Sequence, residues 1–196
     1  MTKGLYNPQF EHDSCGVGCI TNFKGISSHS VVKDALTMLE NMEHRGATGS
    51  DPDTGDGAGI LIQIPHDFLK AQLQTFGVQL PQAGLYGIGM IFYPQHYASR
   101  ELCRKVINDC MVTMGFKLIT YRLVPTDGSI PGHESKSVEP YIEQLLLVYE
   151  DETIIDDDLE RKLFVLGNYV TNQIDKYVQA ANDEFYIASL SCNTLI

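Results

Sequence analysis

The stretch Asp13-Ser14-Cys15-Gly16-Val17-Gly18-Cys19-Ile20 puts a cysteine near the start of the chain, at the head of a small apolar run. The residues before it, Met1 to Ser14, are mostly polar and have little claim to a core. One cleavage would give Cys15 two reactive groups, a thiol nucleophile and a free α-amine. The amine has a pKa of about 7.7–8.0, close to what a general base needs at neutral pH. Nucleophiles activated by an N-terminal amine are an established arrangement. Cys15 also reads as a buried structural cysteine, since free cysteine is among the most buried residue types.

Two further motifs carry groups that could do chemistry. His44-Arg45-Gly46-Ala47 ends a predicted helix, where Arg45 can interact with the last carbonyls. Thr54-Gly55-Asp56-Gly57-Ala58-Gly59 lies in a loop rich in glycine and aspartate. A nucleotide fingerprint needs its glycines after a strand and opening a helix. Here they follow a helix and open a strand, so a phosphate cradle is excluded. His12, His29, His44 and His66 lack metal-ligand spacing, and His44 reads as a structural neighbour of Arg45. Cys103 and Cys110 fall on one helix face as packing residues, not as a metal pair. Cys19, four residues along the Cys15 strand and on the same face, reads as a small core residue. Nothing in the sequence assigns a role to Cys192.

The elements that must position these groups follow from periodicity. Cys15–Phe23 reads as a core strand, with a turn at Lys24-Gly25. A helix capped by Ser30 carries Val32, Ala35, Leu36, Leu39 and Met42 at helical spacing, and Gly46 stops it. The pattern predicts strands over 60–64, 85–93, 117–124, 141–149 and 185–190. It predicts helices over 66–76, 98–114 and from the aspartates at 156–158, whose charge suits a helix N-terminus. The stripe of that last helix is Leu159, Leu163, Leu166, Val170 and Ile174. Residues 128–140 read as loop. No repeat or linker interrupts the chain, so one mixed α and β domain is expected.

Composition limits the partners. The chain has 196 residues and a net charge of −11, which argues against nucleic acid and anionic membranes. No run approaches the roughly eighteen apolar residues of a spanning helix, and the N-terminus lacks the apolar core of a secretory signal. Five cysteines without a Cys-x-x-Cys pair fit reduced thiols and a cytoplasmic location.

Taken in register, Leu5-Tyr6-Asn7-Pro8, Glu11 to Gly18, His44 to Ala47 and Thr54 to Leu61 resemble the N-terminus of the large subunit of glutamate synthases. The resemblance continues through Gln63-Ile64-Pro65-His66 and Leu159-Glu160-Arg161-Lys162-Leu163. In that family the region is a class II glutamine amidotransferase domain. The resemblance implies an α+β fold of the N-terminal-nucleophile hydrolase type, a four-layer αββα sandwich of two largely antiparallel sheets, incomplete on its C-terminal side. It implies that residues 1–14 are a propeptide, that 15–196 begin the amidotransferase domain, and that Cys15 is the catalytic nucleophile. Arg45 would support the active site beside it, and Asp56 would shape a tight nearby loop. The expected activity is release of ammonia from L-glutamine, with no metal. For the intact enzyme the resemblance implies FMN, an iron–sulfur cluster, 2-oxoglutarate, and an electron donor that is either ferredoxin or a pyridine nucleotide acting through a small subunit.

The chain also departs from the family. The family domain is roughly twice this length, judged by ordinary domain sizes. Its later half carries an arginine for the glutamine carboxylate and an Asn-Gly oxyanion hole, and no Asn-Gly pair occurs here. Loss of one oxyanion donor typically costs about 10²–10³ in turnover, so this stretch alone is expected to be inactive. Two other readings remain. One is a different class II amidotransferase, which usually has its cysteine directly after the initiator methionine. The other is a short binding module that retains half of the fold.

Overall fold

The computed structural model describes residues 16–49, 51, 53–178 and 184–196. The chain forms two compact units: residues up to Ile60 together with Ser129–Ser137, and Leu61–Gly128 together with Val138–Ile196.

The larger unit is built on a four-stranded antiparallel sheet in the order β3-β4-β2-β5. Its strands are β2 (Gly87–Tyr93), β3 (Phe116–Leu123), β4 (Tyr141–Tyr149) and β5 (Tyr186–Ser191). In β4 the run Leu145-Leu146-Leu147 is buried on both faces, which explains why it is continuous and not alternating. Leu145 and Leu147 face a core formed with α3 (Tyr97–Thr113) and α5 (Asp156–Tyr177). All five predicted stripe residues of α5, from Leu159 to Ile174, are buried there. Leu146 faces a second core, against Leu69 and Leu73 of α2 (His66–Gln74) and Leu195. Leu195 belongs to a small antiparallel pair, β1 (Ile62–Gln63) with β6 (Thr194–Leu195). The described architecture is thus α+β with antiparallel sheets, as the resemblance implies.

Helix α5 crosses β2 where β2 has no side chain. A Cβ at Gly87 would lie 2.6 Å from Cδ2 and 2.9 Å from Cδ1 of the fully buried Leu163. Gly87→Ala is therefore expected to overpack this contact and cost about 1–3 kcal/mol, read as a lowered urea midpoint at unchanged slope.

One charge pair is sunk into the α3 side of the sheet. Glu143 of β4 is 3 % exposed. It accepts a hydrogen bond from Nε of Arg104 at 2.9 Å and a second from the same guanidinium. The remaining arm of Arg104 donates to Glu101 at 2.6 Å.

Three expectations need correction. Residues 16–22 form no strand: Val17 is 94 % exposed, and no ladder pairs them among the described residues. Glycines at 16 and 18 offer nothing to bury, so small and apolar did not mean core. Residues 133–137 are not loop but a short helix, α4 (His133–Ser137). The strand expected over 60–64 shrinks to Ile62–Gln63, because its partner β6 is only two residues long.

Candidate functional site

In the N-terminal unit the first helix, α1, spans His29–Asn41 and follows Ser28, not Ser30, as its cap residue. A 3₁₀ turn, Glu43–Arg45, continues it to Gly46. Met38, Met42 and Arg45 follow at spacings of four and three, so they line one face. The chain at Gly16 and Gly18 lies along this line. A Cβ on Gly16 would sit 3.1 Å from Met42 Sδ and 3.3 Å from Arg45 Cβ; one on Gly18 would overlap Met38 Sδ. The match is metric. Four helical residues rise about 6 Å, and two residues of extended chain span about 7 Å. The backbone thus comes close to α1 at both glycines: a side chain at 18 would displace the flexible end of Met38, and one at 16 needs Met42 to give by a few tenths of an ångström.

This geometry also corrects Cys19. With Gly16 and Gly18 toward α1, its side chain turns away and is exposed, not packed in a core. Leu36 leaves the predicted stripe too, at 46 % exposure; Met38 takes its place. The Met38/Met42 spacing was visible in the sequence, but its counterpart across the gap is two glycines, which carry no pattern of their own.

The residues after Arg45 turn back on themselves. Thr48 and Gly55 form an antiparallel bridge. The Gly49 N–H donates to Thr54 O at 2.9 Å and the Asp56 N–H to Ala47 O at 3.1 Å. Asp56 Oδ1 lies 3.3 Å from where a Gly46 Cβ would stand. Asp56 is thus part of the hairpin that follows Arg45. His44 Nδ1–H donates to the Asn41 carbonyl at 3.1 Å, which satisfies one of the orphan acceptors at the helix end. Among the described residues the Arg45 guanidinium makes no ion pair, leaving its fork open toward solvent. Cys15 and His12, like the whole of residues 1–15, lie outside the described residues.

The other thiols are engaged elsewhere. Cys103 and Cys110 are buried in the α3 core, as predicted, and burial pushes the Cys103 thiol up to about 11 and raises Cys110 as well. Burial, then the Glu160 carboxylate, pushes Cys192 up to about 12. That thiol donates to Glu160 Oε2 at 3.1 Å, which also accepts the Cys192 N–H at 2.8 Å. Thiolate is therefore much scarcer at Cys103 and Cys192 than at an ordinary exposed thiol. In a Cys15→Ser background a disulfide reagent at pH 8 is expected to label Cys19 and spare the three buried thiols, as read by peptide mapping. Above about pH 9 the unfolded chain releases thiol protons that the fold retains. This stability contribution is whole below pH 9 and lost as pH rises toward 11–12.

Nor do these donors fit an iron–sulfur cluster. No three ligating side chains converge among the described residues, and two of the buried thiols serve packing while the third serves a carboxylate. Also among the described residues, no helix is long and apolar enough to cross a membrane.

Comparison with known proteins follows the same lines. The family of class-II glutamine amidotransferases matches residues 15–196. The chain is 36 % identical to the glutamate synthase [NADPH] large chain of Bacillus subtilis, over 99 % of this chain and 12 % of that protein. It is 33 % identical to ferredoxin-dependent glutamate synthase 2 of Synechocystis, over 95 % of this chain and 11 % of that one. It is 38 % identical to the glutamate synthase [NADH] of Schizosaccharomyces pombe, over 99 % of this chain and 9 % of that one. The chain therefore spans 9–12 % of the length of these relatives. With the family match covering all but the first fourteen residues, the chain belongs to the class II glutamine amidotransferases, enzymes of the N-terminal-nucleophile hydrolase fold.

Proposed function

We propose that this chain supplies the glutamine-hydrolysing step of a glutamate synthase, with Cys15 as an N-terminal nucleophile exposed by removal of residues 1–14. The observation that carries the reading is that the family match begins at residue 15, while Gly16, the next residue, lies against Met42 and Arg45. In this mechanism the Cys15 thiol passes its proton to its own α-amine, and the thiolate attacks the side-chain amide carbon of glutamine. The α-ammonium returns the proton to the departing nitrogen, the C–N bond breaks, and ammonia leaves a glutamyl thioester. Water, deprotonated by the amine, then releases glutamate and restores the thiol.

Arg45 faces the substrate as a fixed positive charge with two parallel donors, suited to oxygen acceptors at one end of the pocket. The ammonia is consumed with 2-oxoglutarate at a second centre elsewhere in the enzyme, giving a second glutamate. Electrons come from a pyridine nucleotide or from ferredoxin, the donors in the relatives' names. FMN and the iron–sulfur cluster would belong to that second centre.

The test is the N-terminal sequence and intact mass of the native polypeptide, before and after a diazoketone analogue of glutamine. The expected result is an N-terminus at Cys15 and one covalent adduct on that residue. A chain that still begins at Met1 and takes up no adduct would overturn the proposal.

A further inference from the structure

Residues Ser129–Ser137 lie in sequence between β3 and β4, yet they belong to the N-terminal unit. Within that unit they are tied to the turn at Asp51–Thr54. The Asp51 carboxylate accepts the Asp53 N–H at 3.1 Å and the Thr54 hydroxyl at 3.3 Å. The N–H groups of His133 and Glu134, which open α4, donate to the same carboxylate. Thr54 Oγ1 accepts the Ser135 N–H at 3.4 Å, and Asp53 O accepts the Gly132 N–H at 2.9 Å. Residues 51–54 thus satisfy the orphan donors of α4's first turn, which local sequence leaves uncapped. Gly132 comes so close that a Cβ there would overlap the Asp51 carboxylate.

A helix of five residues does not hold itself in water, so α4 exists because Asp51 and Thr54 cap it. The converse also holds, because the same bonds pin the turn. From there the hairpin continues without a break: Thr54 O to Gly49 N–H, Thr48 against Gly55, and Asp56 N–H to Ala47 O, ending beside Arg45-Gly46. The run of hydrogen bonds therefore leads from α4 to Ala47, two residues after Arg45.

Resting on the glutaminase reading, we propose that Asp51 is a positioning residue: through α4 and the 47–56 hairpin it fixes where Arg45 presents its guanidinium to glutamine. It touches no substrate. Its role is to keep the hairpin from drifting, and a shift of about 1 Å at such a group costs up to about 10²-fold in rate.

The experiment uses the full-length enzyme with Asp51→Ala, Asp51→Asn and Gly132→Val. Asp51→Asn keeps one acceptor oxygen, whereas Gly132→Val pushes the brace apart from its far side. Hydrogen exchange of the 47–56 amides is expected to accelerate in Asp51→Ala and Gly132→Val. In both variants kcat/KM for glutamine is expected to fall by about ten- to a hundredfold, mostly through KM, with Asp51→Asn recovering most of the loss. Unchanged exchange would overturn the brace. Faster exchange with unchanged KM would show that it does not position Arg45. Absence of glutamine hydrolysis in the wild-type enzyme would instead sink the glutaminase reading, and the positioning role with it, while the exchange data still judge the brace.

Discussion

Replacing Cys15 with alanine in the full-length enzyme is expected to lower glutamine hydrolysis by on the order of 10⁶-fold, the scale seen when a nucleophile that acts as one unit with its base is removed. The proposed chemistry leaves no substitute. The α-amine survives the change, but it has no thiol to deprotonate, and a bare amine plus water lacks the thioester route. Cys15→Ser is expected to retain only a small residue of activity, because a hydroxyl is far harder to ionise than a thiol with pKa about 8.5. Glutamate release from glutamine, measured alongside synthesis driven by added ammonia, separates the two centres. Loss of the first with retention of the second assigns Cys15 to hydrolysis alone. An alanine variant that still hydrolyses glutamine would remove the nucleophile assignment altogether.

The largest expected effect on stability lies in the larger unit, at Arg104. Arg104→Met would leave Glu143 sunk in the sheet at 3 % exposure with its principal partner gone. Breaking a buried pair from one side typically costs about 3–5 kcal/mol, because the remaining charge is neither solvated nor paired. For a domain of this size that is a fall in Tm of roughly 6–20 °C. The companion variant Arg104→Met/Glu143→Leu is expected to recover most of the loss, since apolar groups of similar volume replace a buried pair at little cost. Thermal melts of the two single variants and the double form one cycle. A double variant no better than Arg104→Met would mean that packing around the arginine's stem, not the stranded carboxylate, sets the cost.

What was legible in the sequence depended on where each element finds its partner. The α5 stripe from Leu159 to Ile174 and the α3 face with Cys103 and Cys110 were readable because a helix records its buried side within a few residues. Strand β4 was readable from its apolar run. Residues 16–22 misled because a strand is completed by a neighbour, and composition at Cys15–Phe23 says nothing about whether one is present. Exposure of Cys19 follows from the same error, since the two glycines beside it face α1. Arg45 and Asp56 were found in two separate motifs, and the structure puts Asp56 in the hairpin that follows Arg45, its carboxylate near Gly46. Helix α4 was missed because its capping residues stand far back in the chain, at Asp51 and Thr54.

That distance has a consequence for the order in which the protein is made. Ser135 and Thr54 are separated by 81 positions, and the interval contains β1, α2, β2, α3 and β3. A ribosome releasing the chain at about 5–20 residues per second exposes the Asp51 turn for several seconds before its brace exists. The early hairpin must then wait as a loose end, and the entropy of closing so long a loop falls on a contact made late. The Asp51 turn is thus made early but braced only once residues 132–135 have emerged, so chaperones and proteases meet it open during that interval of synthesis.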